Sequence, residues 1–300
     1  MKTLITGSNG LLGQKLVKLL TENNEPVIAT SLGKNRLHKI LTGYTYQSLD
    51  ITNEKQVREV LTHFRPEVVI HTAAMTNVDQ CELEQEACDQ LNVKAVEYLV
   101  SSCSQINAHF VHLSTDFIFD GRRGPLDENA IPNPISHYGR SKLQAEEFLQ
   151  KSDINWSIIR TVLVYGVAYD MSRSNIVLRV KNSLEAGKTI QVVNDQWRTP
   201  TLAEDLAMGC YLVAQNGRTG IYNISGEELM TPYEMAIKTA EFFKLDQELI
   251  KETDVSKFTQ PAKRPPRTGF IIEKAKIQLG YQPHSFEAGL KVLKSQLALT

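Results

Sequence analysis

The chain has few cysteines, and none is spaced for chemistry. Cys81, Cys88, Cys103 and Cys210 form no C-x-x-C pair, and no His/Cys group has zinc-ligand spacing. No metal site is expected. Cys81 and Cys88 fall on what reads as one helix, roughly 10 Å apart along its axis, too far to be bridged. Reduced, buried thiols of a cytoplasmic protein are expected instead. Neither sign of charge is in excess: 33 basic residues face 34 acidic ones. That excludes the basic footprint of a nucleic-acid binder. No apolar run approaches the length of a membrane span. No basic segment, apolar stretch and cleavage site follow one another at the start, so a signal peptide is not expected. Internal repeats and low-complexity tracts are absent too. What is present, 42% hydrophobic and 22% charged residues over 300 positions, suffices for a large core without staples.

The first half alternates short apolar runs with helical stretches. Strand patterns cover residues 2–6, 26–29, 67–71, 109–113 and 156–160, with a weak one at 44–49. Helical patterns cover 11–22, 53–64, 138–151 and one long stretch, 80–105. Such alternation predicts an α/β fold: a doubly wound parallel sheet, Rossmann-like, with helices on both faces. After about Gly166 the texture changes. Helices at 175–185, 202–215, 232–243 and 286–297 and strands at 189–193 and 220–224 suggest a smaller α/β lobe. The expected division is a dinucleotide-binding domain over 1–166 and a mainly substrate-binding lobe over 167–300, with some later elements free to return to the first domain. Ligands of open α/β sheets bind beyond the carboxyl ends of the strands.

Gly7, Gly10 and Gly13 sit between the first strand and the first helix. Glycine there allows a tight turn and lets the backbone approach a pyrophosphate, which the helix N-terminus attracts. Asn9, Leu11 and Leu12 complete that turn. The second strand ends in Ala29-Thr30-Ser31-Leu32-Gly33-Lys34-Asn35-Arg36. It carries no carboxylate for the ribose 2′-OH of NAD, but it has two cations. Lys34 or Arg36 would meet a 2′-phosphate beside Ser31, favouring NADP(H) with NAD(H) still possible; otherwise both are solvated loop charges. Asp50-Ile51 would touch the adenine edge, unless Asp50 caps the next helix. Thr72, Ala73 and Ala74 are small residues where a cofactor could lie against the backbone.

Tyr138 and Lys142 lie four apart, on one face of a helix. A nearby ammonium is expected to lower a tyrosine's pKa and make the phenol a usable proton donor. Ser114-Thr115-Asp116 closes the fifth strand pattern with hydroxyls, fit to hydrogen-bond a substrate carbonyl or to cap a turn. His71, His109 and His112 read as packed structure, and His137 as pointing off the Tyr138 face.

Together, Thr6–Gly13, Thr72-Ala73-Ala74, Ser114 through Gly121, Tyr138-Gly139-Arg140-Ser141-Lys142 and Arg160-Thr161-x-x-Val164-Tyr165-Gly166 resemble the extended short-chain dehydrogenase/reductase family. Within it they most resemble the dTDP-4-dehydrorhamnose reductase group. Thr76-Asn77-Val78-Asp79-x-x-Glu82, Asp195-Gln196-x-x-x-Pro200-Thr201 and Arg264-Pro265-x-x-Thr268 extend the likeness to about residue 282. The resemblance implies a catalytic set of Thr115, Tyr138 and Lys142, with Tyr138 and Lys142 also touching cofactor. It implies a nucleotide-sugar site between the lobes, lined by Thr115, Asp116, Asn175 and the Asp195–Thr201 loop. It leaves room for a homodimer. The implied activity is reduction of a keto group on a nucleotide-linked sugar. The alternatives are a non-catalytic NADP-binding regulatory subunit of the same fold and a nucleotide-sugar epimerase. Three departures fall in substrate territory: Leu163 where the group has Trp, Trp197-Arg198 where it has small residues, and Thr268-Gly269-Phe270 after the Arg-Pro pair. Arg198 would clamp a diphosphate and Trp197 stack on a base or sugar, or else both pack as structure; Arg264 and Arg267 are the next candidates for the phosphates.

Overall fold

The computed structural model describes residues 1–170 and 174–298. Its first half runs β1 (Thr3–Thr6), α1 (Leu11–Glu22), β2 (Val27–Ser31), β3 (Tyr44–Ser48), α2 (Glu54–Phe64), β4 (Val68–His71), α3 (Val78–Leu83), α4 (Gln85–Asp89), α5 (Ala95–Ile106), β5 (His109–Thr115), α6 (His137–Gln150) and β6 (Trp156–Thr161). The second half adds β7 (Val164–Tyr165), α7 (Ile176–Glu185), β8 (Ile190–Val193), β9 (Thr201–Leu202), α8 (Ala203–Gln215), β10 (Gly220–Asn223), α9 (Pro232–Phe243), β11 (Ile250–Thr253), α10 (Glu273–Leu279) and α11 (Phe286–Leu297). Seven strands form one parallel sheet in the order β10-β6-β5-β4-β1-β2-β3. The order reverses between β1 and β4, which puts the crevice at their carboxyl ends.

Alternation along the strands sorts the core. Successive side chains point to opposite faces. Leu4, Ile28, Val69, Phe110 and Ile158 therefore meet α2, α5 and α6 on one side. Their neighbours Ile5, Ala29, Ile70, Val111 and Ile159 meet α1, α8 and α10 on the other. Both faces being covered, the central strands β1 and β4 are buried throughout, the usual state of an all-parallel sheet. β3 lies at an edge and is only partly buried, so its sequence signal is weak. Three elements from the second half, α8, β10 and α10, build this sheet layer. The smaller lobe packs α7, α9 and α11 with the short β8–β11 pair through two further apolar clusters.

Helix starts follow their caps. Asn53, Ser136 and Asn175 each accept a main-chain N–H from the first turn of α2, α6 and α7. Thr231 and Glu234 form a capping box ahead of α9, with Pro232 at its first position. The start of α1 has neither a capping side chain nor an acid; its cap residue is Gly10.

The helix expected over 80–105 is broken. Glu84 (φ −120°, ψ 60°) separates α3 from α4, and residues Gln90–Lys94 form a π turn before α5. The wider turn delivers Asn92 into the interior, where its amide meets the Met75 main chain at both ends and the Ser141 hydroxyl (3.1 Å). The break also overturns the helical spacing expected of Cys81 and Cys88: their thiols lie within hydrogen-bonding reach, and both are buried and not disulfide-bonded.

Candidate active site

A cleft of about 840 Å³ opens at the carboxyl ends of the strands. Of the residues singled out from sequence for catalysis, cofactor or substrate, Lys34, Trp197 and Arg267 stay outside it, and of the loop over 195–201 only Arg198 lines it; the others all do. Three glycines shape its floor. A Cβ on Gly7, whose φ is +69°, would stand 2.8 Å from the Ala73 nitrogen, and one on Gly13 would stand 2.3 Å from the Gly7 carbonyl oxygen. Both are therefore required by the protein itself. Gly10 is different. It is exposed, and its Cβ would meet only the Gly7 oxygen at 3.2 Å. The bare Gly10 and the uncapped α1 N–H groups leave a surface that fits a dinucleotide pyrophosphate. Thr72 seals the turn by donating to the Thr6 carbonyl at 2.6 Å.

Asn9 sets the loop after β2. Its Nδ2 donates to the Lys34 carbonyl (2.9 Å) and its Oδ1 accepts from the Arg36 N–H (2.9 Å). So held, the loop brings Arg36 and Ser31 to the cleft and leaves Lys34 exposed outside it. Asp50 and Ile51 also line the cleft. The Asp50 carboxylate accepts from the Thr52 N–H and hydroxyl, whereas Asn53 caps α2.

The opposite wall carries the titratable groups. Gly139 is the reason they meet. A Cβ there would stand 2.1 Å from the Phe117 carbonyl oxygen, so α6 packs directly on the turn that follows β5. This closeness puts the Tyr138 phenol within hydrogen-bonding reach of Thr115. Thr115 donates to Asp116 Oδ1 at 3.2 Å. Lys142 Nζ lies 3.1 Å from His112 Nε2. His112 was read from sequence as packed structure. Nothing in its sequence neighbourhood marks it as a partner of Lys142, because the contact joins β5 to α6.

The charges differ from the sequence expectation. Burial raises the Tyr138 pKa, partly offset by the Thr115 hydrogen bond, and Lys142 is not among the groups that lower it. The phenol stays protonated, as a proton donor must. Burial also lowers Lys142 to about 8, with Glu146 pulling the other way. His71 is lowered to about 3 and His112 far below its usual value, first by burial and then by Lys142. Lys142 thus sits beside two neutral, stacked imidazoles 5.5 Å apart.

On the substrate side, Arg198 lines the cleft but its donors are taken. Its Nη atoms donate to the Trp197 and Pro265 carbonyls, each at 2.7 Å, and its Nε lies 3.6 Å from Asp116 Oδ2. Thr268 donates to the same oxygen at 2.5 Å. Asp116 is thereby a buried knot between the β5 end and two later segments, with its pKa raised by burial against those partners. Trp197, expected to stack on substrate, lies outside the cleft with Arg267 over its ring at 5.4 Å. Arg264 lines the cleft and pairs with Asp79 through two bonds, the shorter 2.7 Å. Asn175 uses its amide on the Gly166 carbonyl (2.7 Å) and the α7 N-terminus. Leu163, 36% exposed at the rim, holds φ +39°, a rare state for a branched side chain and one found preferentially at functional sites.

Comparison with known proteins agrees with this arrangement. The RmlD substrate binding domain family matches residues 1–298. The chain belongs to this family of extended short-chain dehydrogenase/reductases. A dTDP-4-dehydrorhamnose reductase of Aggregatibacter actinomycetemcomitans is 30% identical over 306 residues, covering 98% of each chain. The methionine adenosyltransferase 2 subunit beta of Xenopus laevis is 30% identical over 249 residues, 81% of this chain and 72% of its own. The crystal structure of the Bacillus anthracis dTDP-4-dehydrorhamnose reductase in complex with NADP superposes with a TM-score of 0.85 at 27% identity, covering 99% of this chain and 100% of that one. Among the described residues no helix is long and apolar enough to cross a membrane.

Two predictions follow from the charges. Arg36→Ala should shrink the preference for NADPH over NADH about five-fold, the worth of one partly exposed charge-assisted contact, while Lys34→Ala leaves it unchanged. Dissociation constants of both cofactors check this. For Lys142, the folded pKa of about 8 lies below the ordinary 10.5. Between those values the unfolded chain holds the proton and the folded chain does not, so this group's contribution to stability rises with pH. Below about 8 the buried charge costs on the order of 3 kcal/mol. Lys142→Met should therefore be more stable than wild type at pH 7, and the gap should narrow by pH 10 in urea unfolding.

Proposed function

We propose that this protein is an NADPH-preferring reductase of a keto group on a nucleotide-linked sugar, of the dTDP-4-dehydrorhamnose reductase kind. The observation that carries the reading is the meeting of Thr115, Tyr138 and Lys142 in one cleft with the glycine-floored, uncapped start of α1. NADPH, when bound, supplies a hydride to the carbonyl carbon. Tyr138 gives its phenolic proton to the carbonyl oxygen, and the product is the alcohol. The high phenol pKa does not obstruct this step, because the oxygen receiving the proton becomes an alkoxide, a stronger base than phenolate. Thr115, turning its hydroxyl proton from Asp116 to the substrate, donates to that oxygen and orients it. Lys142 presents an ammonium that is costly to bury and that His112 keeps in place; it is suited to hold the cofactor ribose.

For the substrate's phosphates we assign Arg264. It lines the cleft and its side chain is 21% exposed, although it already donates to Asp79, Gln260 and the Ala262 carbonyl, whereas the Arg198 side chain is 6% exposed and tied to main-chain carbonyls, and Arg267 covers Trp197. The reading places the enzyme in the cytoplasm, with its nucleotide-sugar substrate; a homodimer is its expected assembly, checked by light scattering. A regulatory subunit without turnover is the competing reading, supported by the likeness to the methionine adenosyltransferase beta subunit. The complete proton-donating set favours the reductase. An epimerase would instead copurify with tightly held NAD.

Mixing pure protein with NADPH and a panel of nucleotide 4-ketosugars, and following cofactor absorbance, tests the reading; no oxidation with any member would sink it. On the true substrate, Tyr138→Phe should lower turnover by at least ~10²-fold and leave cofactor affinity nearly intact. Arg264→Ala should raise KM for the nucleotide sugar about ten-fold, roughly the worth of a charge-assisted hydrogen bond, with cofactor affinity unchanged. Arg198→Ala should lose thermal stability instead, since it unties Asp116 from the Pro265–Pro266 segment.

A further inference from the structure

We propose that Cys88, Asp89 and His137 form a binding site for a zinc-type divalent cation at the foot of α6. Their ligand atoms, the Cys88 sulfur, an Asp89 carboxylate oxygen and a His137 ring nitrogen, all lie within 4.8 Å of one another. None of the three residues lines the cleft, and the proposed reaction uses none of them. A thiolate, an imidazole and a carboxylate are the donor types of a borderline cation, and three protein ligands plus a water complete a tetrahedron.

Two helices bring the donors together. Asp89 closes α4 and His137 opens α6, and the break at Glu84 sets the direction of α4. His137 Nε2 already rests 2.8 Å from Asp89 Oδ1, a hydrogen bond that coordination would replace. Cys88 is fully buried, the His137 side chain is 12% exposed and the Asp89 side chain 44%. An ion would thus enter past the carboxylate and meet the sulfur last.

Outer partners fix Cys88 and His137. Asn92 Nδ2, placed by the π turn, lies 3.3 Å from the Cys88 sulfur. The His137 N–H donates to Glu82 Oε2 at 2.8 Å, which anchors the turn carrying the imidazole. Such contacts hold ligands in orientation before the metal arrives. The same Glu82 carboxylate has the Arg140 guanidinium 3.7 Å away as a partial counter-charge. Tyr138 follows His137 directly, so an ion here would grip the turn that bears the phenol.

The test is titration of the chelator-treated full chain with Cd²⁺, following the thiolate-to-cadmium band in the near ultraviolet. One equivalent per chain is expected, competed by Zn²⁺. The band should vanish in Cys88→Ser, and affinity should fall by about ten-fold or more in His137→Gln. It should persist in Cys103→Ser and Cys210→Ser, whose thiols lie elsewhere in the core. Zn²⁺ should raise the unfolding temperature of wild type and not of Cys88→Ser. Absence of a stoichiometric band, or a band undiminished in Cys88→Ser, overturns the site. Should Cys88→Ser fail to fold, His137→Gln and Asp89→Asn carry the same comparison on less buried side chains, and unchanged affinity in both overturns it. Neither readout depends on turnover, so the result stands apart from the assignment of the reaction.

Discussion

The site rests on main chain pressed against main chain. At Gly7 the first turn touches the segment after β4, at Gly13 the first helix touches its own turn, and at Gly139 α6 touches the turn after β5. Each contact is closer than any Cβ permits. The first two shape the floor of the cleft, and the third brings the phenol to Thr115. The distances that matter for chemistry are thus fixed by backbone, which has no rotamers to relax.

Charge is arranged around that frame at considerable cost. Lys142 is buried with an ammonium that would sooner lose its proton. It is tolerated because His112 accepts from it and because Glu146, one turn further along α6, opposes the loss. Glu146 is itself held by Arg160 through bonds of 3.1 and 2.7 Å, both side chains almost wholly buried. Leaving either member alone would strand a charge in the interior. Arg160 also reaches the Glu128 carbonyl and the Phe119 ring. The route from Lys142 to the β6 strand is therefore continuous, and the helix bearing Tyr138 is tied down along its length.

Much of this was legible in the residues. Apolar runs bounded by helical periods gave the sheet, and the glycine spacing gave the dinucleotide turn, because both depend on neighbours in sequence. Tyr138 and Lys142 were legible for the same reason, being one helical turn apart. What stayed hidden depends on partners far along the chain. Whether Lys34 or Arg36 faces the cleft is decided by Asn9. Arg198 looked free to bind phosphate, but two carbonyls and Asp116 occupy it. The helix across Glu84 kept an unbroken apolar period, while a buried amide at Asn92 imposed the wider turn. The pKa of Tyr138 follows desolvation, which depends on the packed surroundings, and not the ammonium one turn away.

The place of β10 has a bearing on how the chain reaches this state. It pairs with β6 through Ser157–Arg160 against Gly220–Asn223, and α8 covers one face of the same sheet. Both are synthesised after α7 and the β8 and β9 strands. On a ribosome, the nascent sheet would present β6 as a raw edge and an apolar face without its lid until those residues emerge. Long-range strand pairing of this kind slows folding and prolongs exposure of sticky surface. The chain assembles as one unit, and a cut before α8 would leave the sheet without its last strand.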